Sequence, residues 1–228
     1  MPGSPLTDSG RLLLGHQATT VAEILAGCPR FDVGAGEPHF PRSFLGIELL
    51  AVEHGFVVVR STPEGFARSI ITREAGPGRV LLPPSPEEVV FGLTAARLVG
   101  MTPEARARLL ELPEAARALV ELLETTLAQQ RETLANFAHT RHIERVRRTL
   151  LQLSLSYGRV VRDGIRIDFP LSHMLLADMI GSSRETVTRA LDELQRSGYV
   201  DRRGHTYRLL VAPDELVGDP RRGDPAEV

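Results

Sequence analysis

Two periodicities divide the chain. Between Leu45 and Val99 the apolar residues come in short runs, Ile47–Val52, Phe56–Arg60 and Phe66–Thr72, separated by His54-Gly55, Pro63-Glu64-Gly65 and Gly76-Pro77-Gly78. Shorter runs follow at Arg79–Leu82, Val89–Leu93 and Ala96–Val99. Short β-rich runs punctuated by glycine turns predict a small sandwich or roll. Before them, residues 1–43 are rich in Pro and Gly. Val21–Ala26 offers a helical turn or two, and Gly34-Ala35-Gly36 and Pro38–Pro41 read as loop. Beyond Met101 the period lengthens. Thr102 is an N-cap and Pro103 sits at N1 for a helix ending near Leu112. A long helix from Pro113 to about Ala138 then carries Val120, Leu123, Leu127, Gln130, Leu134 and Phe137 at 3-4-3-4-3 spacing, the seam of a coiled coil. These six residues are the expected homodimer interface, with Gln130 a polar member able to fix register. A stripe packed on the chain's own strands is the alternative.

A hinge is expected at His139-Thr140, followed by a helix over Arg141–Tyr157 with apolar Ile143, Val146, Leu150, Leu153 and Leu155. Val160-Val161 and Ile165-Arg166-Ile167 flank Arg162-Asp163-Gly164, a hairpin signal. Ser172 then caps a short helix filled by Met174, Leu175, Leu176, Ala177, Met179 and Ile180, which stops at Gly181. Ser182-Ser183 caps a second helix whose apolar stripe is Val187, Ala190, Leu191 and Leu194, and Gly198 ends it. Tyr199–Leu209 reads as two short strands around a basic turn containing Gly204. Short helix, tight turn and longer helix make a helix-turn-helix, whose second helix fits the major groove.

The polar face of that second helix carries the candidate chemistry. Arg184, Glu185, Thr188 and Arg189 project together, away from the apolar stripe. Arginine forks onto guanine, glutamate accepts from the cytosine amino group, and Thr188 suits a thymine methyl or a phosphate. Ser172, Ser182, Ser183, Arg202 and Arg203 are candidates for phosphate positioning. The bland alternative is a solvated helix face in which Glu185 and Arg189 form an i,i+4 pair.

The run DGIRIDFPLSHMLLADMIGSSRETVTRALDELQRSGYV resembles the winged helix of the Crp/Fnr transcription regulators, over roughly residues 140–211. Its DGI, LSH and ADMIGSSR segments are similar to those of the family's nitrogen-regulating members. The RETVTR face is closer to that of its cyclic-AMP-responsive members. The resemblance implies an α+β chain with a small, cupin-like N-terminal β-roll, a long dimerisation helix and a C-terminal winged helix-turn-helix. The corresponding boundaries are 1–112, 113–138 and 139–211, with 212–228 as a tail whose Gly, Pro and charge suggest disorder. It also implies double-stranded DNA as partner, a pseudo-palindromic TGTGA-like operator, and RNA polymerase as a further partner of an activator. EHGFVVVRS and GPGRVLL resemble the core of the family's sensory roll, here short by a strand or two.

The family's cyclic-nucleotide pocket reads Gly-Glu-Leu/Ile-Ala, with Arg-Ser or Arg-Thr several residues later. The equivalent stretch here is Arg79-Val80-Leu81-Leu82-Pro83-Pro84-Ser85-Pro86-Glu87-Glu88. Three prolines remove three N–H donors, and two glutamates repel phosphate. Gly36-Glu37 lies upstream of the strands, and Arg68-Ser69 falls inside a predicted one. Control by cyclic AMP is therefore expected to be lost.

Charge sharpens this picture. The net charge of −2 conceals −4 over residues 1–138, +5 over residues 139–211 and −3 over the tail. A basic module on an acidic body is the footprint of a protein that meets phosphate with one end. All 27 basic residues are Arg, the side chain suited to bidentate phosphate contact. The single cysteine, Cys28, excludes an intramolecular disulfide and the four-cysteine iron–sulfur cluster found in some Crp/Fnr proteins. With no long apolar run and no signal-like N-terminus, a cytoplasmic protein without membrane contact is expected. His16, His39 and His54 are scattered. His139 and His142 stand three apart, but hinge polarity is the simpler account of them, so no metal and no cofactor are expected. Nucleophile-elbow, P-loop and HExxH patterns are absent, so the chain does not read as an enzyme. A metabolite- or protein-binding module, its winged helix making protein contacts, is the competing class.

Overall fold

Strand β3 (Leu49–His54) opens with four apolar residues in a row because both faces of its sheet are covered. Leu50 and Val52 enter a core shared with a second sheet, whereas Leu49 and Ala51 pack beneath helices. A strand buried on both sides reads as a continuous apolar run instead of an alternation. The computed structural model describes residues 17–62 and 68–210. The chain divides into two units, Met1–Ala138 and His139–Val228.

The first unit starts with α1 (Ala18–Ala26), β1 (Arg30–Val33), β2 (Pro38–His39) and a 3-10 turn at Pro41–Phe44. After β3 come β4 (Val57–Ser61), β5 (Ile70–Ala75), β6 (Val80–Leu81), β7 (Glu88–Gly92) and β8 (Ala96–Met101). They form two four-stranded sheets, in the orders β1-β8-β3-β6 and β2-β7-β4-β5. Their ladders are antiparallel. Val33, Phe44, Val57, Val59, Leu81, Val90 and Leu98 fill the space between the sheets. Full burial of each such side chain contributes roughly 1.5–3 kcal/mol.

Three expectations need correcting here. The two strands missing from the sequence reading, β1 and β2, come from the stretch read as unpatterned, with Pro38–His39 a strand instead of loop. Both are short, and β1 is mostly solvated, so neither shows an apolar run. The strand expected over Phe66–Thr72 is Ile70–Ala75, which leaves Arg68-Ser69 ahead of it. The Pro63-Glu64-Gly65 turn, His16 and the tail lie outside the described residues.

Helix α2 (Pro103–Leu110) is capped by Thr102, whose hydroxyl accepts from the Ala105 N–H at 3.2 Å. Helix α3 (Pro113–Phe137) follows at once. Its Ala115, Leu119 and Leu122 pack with Val21, Ile24, Val99, Met101 and Leu109 on the outer face of the first sheet. The Thr126 hydroxyl donates to the Val80 carbonyl at 3.3 Å. The stripe bound to the roll is thus a different one from the heptad seam. Val120, Leu123, Leu127 and Leu134 are 51%, 40%, 58% and 70% exposed, while Gln130 and Phe137 are half-buried.

The second unit contains α4 (His142–Tyr157), β9 (Gly158–Val161), β10 (Gly164–Ile167), α5 (His173–Ile180), α6 (Arg184–Arg196), β11 (Val200–Arg203) and β12 (Thr206–Leu209). The two expected hairpins are one sheet, ordered β11-β12-β10-β9, because β12 pairs with β10 as well as β11. Val146, Leu150 and Leu153 are buried as the periodicity requires, but Leu155 is mostly exposed. It sits in the last turn of α4, one step off that stripe. Met174 is likewise exposed, on the first turn of α5.

Candidate nucleic-acid interface

The helix pair is built by local signals. Ser172 accepts from the Leu175 N–H at 3.1 Å and starts α5. Gly181, in the left-handed region at φ 61°, ends it. Ser183 accepts from the Thr186 N–H at 3.1 Å and starts α6. Val187, Ala190, Leu191 and Leu194 are buried, which fixes the roll of α6 about its own axis. Gly198, at φ 76°, lets the chain leave α6 for β11.

Arg145 of α4 braces the turn. Its Nε donates to the His139 carbonyl at 2.6 Å and its Nη1 to the Ile180 carbonyl at 3.3 Å, placing a cation at the C-terminal end of α5. Arg147 bonds Glu144 at 2.9 Å and lies over the Tyr199 ring, 5.8 Å from its centroid. The guanidinium holds the Glu144 carboxyl below the usual carboxylate range. This pair anchors α4 to the residue that leads into β11.

On the face opposite the buried stripe, Arg184, Glu185 and Arg189 are exposed together. Thr188 belongs to that face in spacing but is half-buried. Its Oγ1 lies 2.7 Å from His173 Nδ1 and donates to the Arg184 carbonyl at 2.9 Å. The hydroxyls of Ser172 and Ser183 serve the caps, and Ser182 Oγ stands 3.3 Å from His142 Nδ1. On the wing, Arg203 is 88% exposed, 3.8 Å from Asp201. Arg202 is half-buried and meets His173 Nε2 through its Nη1.

His173 was not legible as a site residue. It follows the N-cap, a position where histidine carries no special signal. In space it touches both the reading helix and the wing. Burial, then the charges of Arg202 and Arg184, push its pKa below the ordinary histidine value. Among the described residues no cluster of three or more His, Cys, Asp or Glu is arranged to hold a metal ion. His142 faces Ser182, and the carbonyl of His139 is taken by Arg145.

A four-stranded wing sheet, a capped helix-turn-helix and a basic outer face define a winged-helix module of the DNA-binding kind. The Crp-like helix-turn-helix domain model matches residues 144–216. The global nitrogen regulator of Synechococcus elongatus is 38% identical over 89 residues, 39% of this chain and 40% of that protein. That match therefore spans well under half of the relative's length. The CRP-like cAMP-activated global transcriptional regulator of Mycobacterium tuberculosis is 26% identical over 211 residues, 89% of this chain and 92% of that one. Among solved structures, a CRP-family transcriptional regulator from Thermus thermophilus is 25% identical with a TM-score of 0.62, covering 82% of this chain and 94% of its own. A CooA variant from Carboxydothermus hydrogenoformans shares the fold at 16% identity and TM-score 0.70, covering 86% of this chain and 88% of its own. Residues 144–216 thus match a Crp-like helix-turn-helix domain, and the chain as a whole is similar to CRP-family transcription regulators.

Proposed function

We propose that the protein is a homodimeric, sequence-specific regulator that reads a pseudo-palindromic, TGTGA-like operator and is not controlled by cyclic AMP. The observation that carries this is the outer face of α6. Arg184, Glu185 and Arg189 stand exposed in a row on a helix whose opposite face is locked into the core. Arginine forks are suited to guanine edges and a carboxylate to the cytosine amino group. Arg203 on the wing suits phosphate, as do the N–H groups that the capping serines leave unengaged at two helix N-termini. A module of this kind acts by binding and needs no catalytic group. The cytoplasm is the compartment that fits a DNA reader, and no helix among the described residues is long and apolar enough to cross a membrane.

The exposed seam of α3 supports dimerisation, since four large apolar side chains in heptad register are stabilised by covering one another. Two subunits also pool two basic modules. Loss of nucleotide control is supported by the roll. Arg73, nearly buried, is paired with the Glu88 carboxylate, which also accepts from Thr72 at 3.1 Å and from the Ser85 N–H at 3.0 Å. The Arg73 guanidinium and the Ser85 N–H are thus already engaged by an internal anion. One small cavity among the described residues, between β5, β6 and α3 and lined by Glu74, Thr126 and Gln129, measures about 10 Å³. That is room for about one water.

Quantitative footprinting across a salt series tests the reading. A dimer contacting phosphates on both arms should protect two half-sites centred roughly 34 Å apart, and affinity should fall steeply with salt. Millimolar cyclic AMP should leave footprint and affinity unchanged and give no saturable heat in calorimetry. Salt-insensitive binding to protein extract with no footprint would favour the protein-contact module instead.

A further inference from the structure

We propose that His173 is a positioning residue of the DNA-reading surface, dedicating Thr188 to a thymine methyl and holding the wing's Arg202 back from phosphate. The inference rests on the DNA-reading assignment above and specifies how that surface is tuned.

The hydrogen bonds fix their own directions. His173 Nε2 meets Arg202 Nη1, and a guanidinium has only donors, so Nε2 presents its lone pair. The ring proton therefore sits on Nδ1, which donates to Thr188 Oγ1 at 2.7 Å. The proton of Thr188 goes in turn to the Arg184 carbonyl at 2.9 Å. The chain runs Arg202 to His173 to Thr188 to the Arg184 carbonyl, with one proton at each step. Phosphate oxygens only accept, and a threonine whose proton is already committed offers them nothing. What remains for DNA is its methyl group, the natural partner of the thymine 5-methyl. Arg184 and Arg189, four residues before and one after Thr188, are exposed on the same helix.

Arg202 is tied at the same ring. The charged and titratable groups acting on the ring are Arg202 from β11, Arg184 and Asp192 from α6, and His205 from the wing turn. Burial first, then the charges of Arg202 and Arg184, favour the neutral ring. Protonation puts a second N–H at Nε2, donor faces donor, and Arg202 is released. The Nδ1–H bond to Thr188 survives. Acid therefore frees a wing cation for phosphate without altering the methyl contact.

The test uses the full-length protein and the operator found by footprinting, with each thymine replaced in turn by deoxyuridine. One replacement per half-site should weaken binding roughly fourfold, the worth of one buried methyl group. Thr188→Ser should abolish that penalty. His173→Asn, which keeps a donor near the Nδ1 position, should retain it, and His173→Leu should lose it. As pH is lowered below the ordinary histidine value, until the His173 ring takes up a proton, the wild-type salt slope should steepen by about one unit per half-site. His173→Gln, an acceptor for Arg202 that does not titrate, should show no such change. A deoxyuridine penalty untouched by both Thr188→Ser and His173→Leu, or a pH-independent wild-type slope, overturns the inference while leaving the DNA reading intact. Absence of any salt-sensitive operator would instead sink the DNA reading itself.

Discussion

Gly164 lies against Leu209 so closely that a Cβ on the glycine would stand 1.9 Å from the leucine carbonyl oxygen. Its φ of 129° is also outside the range that other residues adopt with ease. This approach lets β12 pair with β10 and turns two hairpins into one sheet beneath the helix-turn-helix. Gly164→Ala should therefore destabilise the second unit by about 3 kcal/mol or more, combining backbone strain with a backbone clash. Gly204, at φ 63° with open space around it, is the control. Gly204→Ala should cost only about 1 kcal/mol. Amide hydrogen exchange in β10 and β12 separates the two: protection should collapse in the first variant and persist in the second.

The same glycine marks how far the sequence could be read. Asp163-Gly164 announced a hairpin, because turn chemistry is local, but nothing local announces that Leu209 would pair beside it. Caps were legible for the same reason: Thr102, Ser172 and Ser183 each accept from an N–H three residues on. The α3 seam was visible as spacing, yet the stripe that binds the roll, Ala115-Leu119-Leu122, is just as apolar and is told apart only by its neighbours. On α6 the exposed arginines followed from periodicity alone. The engagement of Thr188 and Arg202 by His173 did not, since three residues 14 to 29 positions apart meet only in the fold.

The proposed dimerisation through α3 makes a simple forecast. Leu127 and Leu134 are 58% and 70% exposed and lie two seam positions apart. Replacing both with Glu sets four carboxylates in a two-stranded seam, and the protein should sediment as a monomer with its helicity largely kept. Persistence of the dimer would place the interface elsewhere.

Glu74 should give the roll a stability that depends on pH. It lines the small cavity beneath α3, and burial pushes its carboxyl from 4.5 up to about 7. The folded state thus holds a proton that the unfolded state has released between those two values. Stability contributed by the protonated form is full below pH 4.5 and is lost as pH rises toward about 7. The change is on the order of 3 kcal/mol. Glu74→Gln, neutral throughout, should flatten this part of the profile and raise Tm at about pH 8. Thermal melts of both proteins across this range decide it; parallel profiles would mean that another group titrates.

The reading face is tested by contrasting two arginines that differ in place but not in charge. Arg189 is exposed on α6 away from the buried stripe, whereas Arg203 sits at the tip of β11. A guanidinium forked onto a guanine discriminates among bases; one resting on phosphate does not. Arg189→Ala, and Arg184→Ala likewise, should cost about 1–3 kcal/mol per half-site on the matched operator and much less on a scrambled one. Glu185→Ala should cost less affinity, because removing a carboxylate also removes repulsion from DNA, yet should blur discrimination at one G·C pair. Arg203→Ala should weaken both DNAs alike and reduce the salt slope by about one unit. Binding isotherms on both operators at several salt concentrations separate these patterns. Equal losses for Arg189→Ala on matched and scrambled DNA would assign it to phosphate and move base reading to other side chains of α6.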